Sequence, residues 1–240
     1  MIQTIITHQC PRCGSENMVR NGRDYKGSQK YHCKACDSYG TLQASQGYDK
    51  VFKEQIQKAF LERLSLRGIE RVFDVSRHTV SRWVVEWAAN LPPLEETLAP
   101  VHPDDVLELD ELWSFVACKA NKRWVWVALC RRTRQIVAYF IGDRSEASCR
   151  QLWRRIPTDY LGCQSFSDFW EAYQNVFSAE RHQSVGKESG ETNHVERWFN
   201  TLRQRIARFV RKTLSFSKTD RFHQMALQLF IHHHNQLCIS

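Results

Sequence analysis

Two pairs of cysteines, Cys10-Pro-Arg-Cys13 and Cys33-Lys-Ala-Cys36, restrict the start of this chain more than any other feature does. Each pair leaves two residues between its thiols. That gap lets one tight turn offer two sulfurs to a single ion, and Gly14 lets the backbone fold round it. Four soft ligands suit tetrahedral Zn²⁺, and four thiolates leave no open coordination position, so the expected site is structural. A module spanning residues 1–45 buries too little apolar surface to fold without such help. The rival reading is a pair of redox dithiols, which two pairs at zinc-ribbon spacing disfavour. Arg12, Arg20, Arg23, Lys26, Lys30 and Lys34 make this segment basic, either for contact with a DNA backbone or as a solvated surface. The other five cysteines, Cys118, Cys130, Cys149, Cys163 and Cys238, are scattered singly. An odd total without a secretion signal argues against a disulfide framework, and these are read as reduced thiols acting as small apolar groups.

Pro92, Pro93, Pro100 and Pro103 bracket an acidic stretch that can hold neither helix nor strand for long, so residues 92–104 read as a linker. Between ribbon and linker, residues 46–91 follow helical periodicity. The run SLRGIERVFDVSRHTVSRWVVEW has helix-turn-helix form. Ser65 caps a helix whose apolar positions are Ile69, Val72 and Phe73; Asp74-Val75-Ser76 makes the turn, with Val75 inside it. Ser76 caps a second helix with an inner face of Val80, Trp83, Val84 and Trp87. Arg77, His78, Thr79, Ser81 and Arg82 then face outward at its start, groups suited to phosphates and base edges in a major groove. The bland alternative is an ordinary helical hairpin.

Residues 105–240 open with three strand-like runs, VLELDELWSFV, RWVWVALC and QIVAYFIG, the last two joined at Arg131–Arg134 as a hairpin. A helix follows over Glu146–Ile156, ended by Pro157, then a short strand CQSFSD, a helical piece FWEAYQNVF, and a weak strand around His182–Val185. A long helix begins near Thr192, and the order implies a mixed sheet with helices packed on it. Three acids stand out by context. Asp110 interrupts an apolar strand, where an unpaired carboxylate is costly to desolvate, and alternation puts Glu108, Asp110 and Leu112 on one face. Asp168 follows a short strand. Glu196 lies in the first turns of the long helix, with Asn193, Asn200 and Arg203 along the same polar line and Val195, Phe199, Leu202, Ile206 and Phe209 as the buried stripe. Taken singly, each acid is equally well a surface charge or a salt-bridge partner. Glu108 and Glu111 are read as solvated or paired with Arg or Lys, His194 as a residue of the cleft edge, the run His232–His234 as structural, and Trp124 and Trp126 as sheet packing.

The net charge of +8 favours a polyanionic partner. No stretch approaches the roughly 20 apolar residues that cross a bilayer, and no signal-peptide pattern opens the chain, so a soluble, cytoplasmic protein is expected.

The LDELWSFV strand, the SDFWEAY segment and the ETNHVERWFNTLRQRIARF helix together resemble the DDE transposases of the insertion sequence one group. The C-x-x-C pairs and the helix-turn-helix share in the resemblance, which therefore spans most of the chain, although the stretch between the second knuckle and the first helix is short. The resemblance implies an RNase H-like α/β domain with a mixed sheet flanked by helices. It further implies that Asp110, Asp168 and Glu196 coordinate two divalent cations, Mg²⁺ or Mn²⁺, with Arg203 as the basic residue after the glutamate. The partners would be double-stranded DNA at element ends and target, bound by a homo-oligomer associated with the nucleoid. Two other readings stay open at this point: a zinc-ribbon and helix-turn-helix transcriptional regulator with an inactive C-terminal domain, and a DNA nuclease without strand transfer.

Overall fold

Short strands with few aliphatics build the N-terminal part of the molecule. β1 (Met18–Arg23), β2 (Gln29–Cys33) and β3 (Tyr39–Thr41) form an antiparallel sheet in that order. The computed structural model describes residues 7–24, 27–42 and 47–239, so Lys26 lies outside the described residues. The chain divides into the units Met1–Lys53 and Glu54–Ser240. In the first, the loop before β1 and the turn after β2 carry the two cysteine pairs, and Gly14 takes a φ of 73° as the first pair turns.

Three helices follow: α1 (Lys50–Leu61), α2 (Leu66–Phe73) and α3 (Arg77–Ala89). The Ser65 hydroxyl accepts from the Gly68 amide and the Ser76 hydroxyl from the His78 amide, each satisfying an otherwise unpaired N–H of a first turn. Asp74 turns the chain through a left-handed conformation with φ 52°, and Val75 is fully buried in the bend. Ile69, Val80, Trp83 and Val84 are buried as their spacing predicts, and Trp87 is half-buried. Val72 is not: it is 66% exposed, although it follows Ile69 by three residues on neighbouring turns.

The five-stranded mixed sheet has the order β6-β5-β4-β7-β8. β4 (Val106–Val116), β5 (Cys118–Cys130) and β6 (Ile136–Gly142) run antiparallel, and β7 (Gln164–Ser167) and β8 (His182–Ser184) lie parallel to β4. Arg134, at φ 63°, closes the tight turn between β5 and β6. β4 has the bounds that its alternation predicts, while β5 begins five residues earlier than its aromatic run, at Cys118. Helices α4 (Glu146–Trp153) and α5 (Glu171–Val176) cover one face, burying Leu107, Leu109, Trp126, Ala128, Cys149, Leu152 and Tyr173. α4 stops short of Ile156 because the residue before Pro157 is disfavoured in a helical conformation.

The opposite face carries α6 (Asn193–Arg205) and α7 (Asp220–Cys238). Val195, Phe199, Leu202, Ile206 and Phe209 are all buried. α6 nevertheless ends at Arg205, and Ile206 is extended. Beyond it Arg208 is drawn inward, its guanidinium 4.6 Å from the Phe222 ring centroid and 5.7 Å from that of Phe60. α7 is tied to the sheet by Asn235, which is fully buried. Its amide donates to Ile136 O and Thr97 Oγ1, while its oxygen accepts the Ile136 amide. The histidine run is structural: His232 bonds Pro92 O and Gln228 O, and His234 bonds Arg134 O. Among the described residues no helix is long and apolar enough to cross a membrane.

Candidate functional site

The four ribbon thiols converge. Cys10, Cys13, Cys33 and Cys36 bring their sulfurs within 4.8 Å of one another. Cys10 and Cys36 are 3.7 Å apart, and Cys13 and Cys33 are 3.6 Å apart. Sulfurs about 2.3 Å from a tetrahedral zinc stand about 3.8 Å apart, so the cluster fits Zn²⁺. The Ser38 hydroxyl, and then the Arg12 amide, stabilise the Cys10 thiolate and bring its pKa down to about 6.

At the sheet, the register decides which acids meet. β4 and β7 pair as Val106↔Gln164, Leu107↔Ser165 and Glu108↔Phe166, and the same offset carried two residues further sets Asp168 beside Asp110. Pairing has ended by then, so a gap opens beside β4. Asp110 lies on the α6 face of β4 and Glu111 on the α5 face, yet both reach this gap. Oxygens of Asp110, Glu111 and Asp168 lie within 4.8 Å of one another. Glu196, in the first turn of α6, is outside that group, but its charge is felt at Asp110.

The electrostatics of Asp110 are those of a crowded anion. Burial, then the charge of Glu111, with further contributions from Asp168 and Glu196, push its pKa up to about 8. Its Oδ1 accepts the Glu111 amide at 2.7 Å. The donor set fits a hard divalent cation: carboxylate oxygens close together, with no cationic side chain bonded to Asp110 among the described residues. Asp168 Oδ1 accepts the Trp170 amide at 3.0 Å, which turns the chain after β7 and delays α5 to Glu171. It also leaves Phe169 67% exposed next to the acids.

Glu111 is paired with an arginine, as its sequence context predicts, although strand alternation gives no sign that it also approaches Asp110 and Asp168. It is buried, with Oε2 accepting the Tyr173 hydroxyl at 2.8 Å and Oε1 accepting Arg144 Nε at 2.8 Å. Arg144 is in turn stacked between Trp170 and Trp124, 4.4 and 4.8 Å from their ring centroids. Glu108 is also buried and paired, with Arg131 and His194. An adjacent Asp-Glu in an apolar strand was the available signal, since two ionised groups there both need partners.

Arg203 lies on the polar line of α6. Burial and the nearby Arg211 weaken its hold on its proton while Asp110 strengthens it, and its Nε finds no hydrogen-bond partner among the described residues. On α3, Arg77, His78 and Arg82 are exposed and Thr79 and Ser81 half-buried, with the Arg77 amide donating to Glu70 Oε1.

Comparison with known proteins yields two family matches. A family described as IS1 transposase matches residues 106–236, and one described as InsA N-terminal domain matches residues 4–37. The insertion element iso-IS1n protein InsB of Shigella dysenteriae is 36% identical over 129 residues, covering 54% of this chain and 95% of that protein. The insertion element IS1 4 protein InsB of Escherichia coli (strain K12) is 32% identical over 121 residues, covering 50% of this chain and 70% of that protein. The insertion element IS1 protein InsB of Shigella flexneri is 32% identical over 120 residues, covering 50% and 88%.

Proposed function

The chain belongs to the IS1 transposase family and is a transposase, and from that premise we propose that Asp110, Asp168 and Glu196 form the metal-binding triad of a DDE-type cleavage and strand-transfer site. The observation that carries this is the meeting of Asp110 and Asp168 oxygens beside β4, where burial and then neighbouring like charges raise Asp110 to about 8. A crowded, half-buried acidic cluster of this kind is relieved by a divalent cation. Two Mg²⁺ or Mn²⁺ ions held by these acids would supply charge neutralisation for phosphodiester transfer. The residues of the chain do the rest. Asp110 and Asp168 fix one side of the site from the sheet, Glu196 closes it from α6, and Arg203, two turns further along the same helix, would hold a non-bridging phosphate oxygen. The reaction is hydrolysis at the 3′ ends of the element, followed by attack of each freed 3′-hydroxyl on target DNA.

The strand order and directions support the RNase H-like reading of the mixed sheet. The capped pair α2 and α3 serves as the helix-turn-helix, with Arg77, His78, Thr79, Ser81 and Arg82 at the major groove of the terminal repeats. The ribbon contributes backbone contacts, and joining two ends calls for at least two copies of the chain. Such a protein works in the cytoplasm on chromosomal DNA. Asp110→Ala, Asp168→Ala and Glu196→Ala are each expected to slow Mg²⁺-dependent cleavage of end-bearing DNA by at least about a hundredfold. Wild-type rates in all three would end the proposal.

A further inference from the structure

We propose that Glu108 is the positioning residue for Glu196: it caps α6 from β4 and so sets the distance between the acid of the helix and the acids of the sheet. This rests on the reading of Glu196 as a metal ligand.

Glu108 is 0% exposed and lies on the same face of β4 as Asp110, two residues away. Its Oε2 accepts the backbone amides of His194 at 2.8 Å and Val195 at 3.1 Å. Its Oε1 accepts His194 Nδ1 at 2.6 Å and Arg131 Nε at 2.8 Å. Arg131 reaches on to the carbonyl and the carboxylate of Glu191, both at 2.7 Å, and so grips the segment just before the helix. Every helix begins with amides that lack an internal partner, normally met by the side chain of the residue before it. Thr192 stands in that place and makes no side-chain cap. A strand carboxylate fills the role instead.

The consequence is geometric. The Glu196 amide bonds the Thr192 carbonyl, so Glu196 belongs to the turn that Glu108 holds. One strand thus carries Asp110 and, two residues back, the group that anchors the first turn of the Glu196 helix. The negative charge of Glu108 also lies at the positive end of the helix dipole. An apolar residue would fill the space but leave the His194 and Val195 amides without their acceptor, and it would not fix the height of α6 along the strand. Partners that orient ligands in this manner govern metal affinity, typically by about tenfold or more.

The test compares Glu108→Gln with Asp105→Asn. Asp105 is equally buried at the start of the same strand and pairs with Arg132 at 2.6 Å, away from α6. Binding of Mn²⁺ to the whole chain without DNA, followed by the loss of the free-ion resonance signal, should weaken about tenfold in Glu108→Gln. The Mg²⁺ concentration for half-maximal cleavage should rise by a similar factor, with affinity for end-bearing DNA unchanged. Asp105→Asn should lower the melting temperature and leave Mn²⁺ binding alone. If Glu108→Gln does not fold, His194→Ala removes one of the four donors and should produce the same shift in smaller measure. Mn²⁺ binding and Mg²⁺ dependence at wild-type values in the Glu108 or His194 variant, or moved equally by Asp105→Asn, would overturn the proposal. Glu196→Gln separates the two ideas. If it binds Mn²⁺ and cleaves normally, the ligand reading of Glu196 fails. If it is inactive while Glu108→Gln is indifferent to metal, only the positioning role fails.

Discussion

In the ribbon, Cys10 and Cys33 are the buried apolar side chains among the described residues of Met1–Lys53. At the end of the sheet the acids instead abut a core that exists without them, built on Leu107, Leu109, Trp126, Ala128, Leu152 and Tyr173. In the first region the ligands are the core, and metal and fold form together. In the second the fold comes first, and it holds Asp110 in a position that the sheet would be more stable without.

The largest effect that can break this contrast is zinc removal. Chelation, or Cys33→Ser, should cost the ribbon on the order of 10 kcal/mol and open it to proteolysis, while the melting transition of Glu54–Ser240 stays in place. A ribbon that resists protease after chelation would erase the distinction.

Next in size is Asp110→Asn, which should act with the opposite sign. The carboxyl of Asp110 has a folded pKa of about 8, above its ordinary 3.8, so the native state binds this proton more tightly than the unfolded one. Its ionisation therefore costs stability above pH 8, and the cost fades as pH falls toward 3.8. Asp110→Asn should raise stability at pH 8 by a few kcal/mol in a metal-free melt while cleavage is lost. A lower melting temperature would show that the acid is part of the scaffold.

Acid should then separate the regions. His182, between the hydroxyls of Ser165 and Ser167, and His223, beside Ser114 and Ser217, are both held by burial at a pKa of about 4. The unfolded chain takes these protons first, so their contribution is complete above pH 6.5 and is lost as pH falls toward 4, at about 3 kcal/mol each. A sheet melt that is flat across that range would refute it. The smallest effect is at the surface: Arg77→Ala and Arg82→Ala should each lower the log–log salt slope of DNA binding by about one. Unchanged slopes would move the backbone contacts to the ribbon arginines.

Much of this was legible because local and global demands agree. VLELDELWSFV alternates cleanly and becomes β4 as written, and Ser65 and Ser76 announce the starts of α2 and α3. What sequence could not supply came from long-range partners. Nothing near Arg208 foretells a place against Phe60 and Phe222, and that inward turn accompanies the end of α6. Glu111 joins Asp110 and Asp168 only because β7 stops before it, and a strand end is a property of the sheet rather than of either segment.

The tie made by Asn235 makes the border of the sheet depend on a residue 99 positions further along the chain. All the acids of the proposed site precede residue 197, yet the amide and carbonyl of Ile136 wait for a side chain close to the end of the last helix. A chain cut before Asn235 would bear all three acids of the proposed triad and still leave its β6 border unstitched.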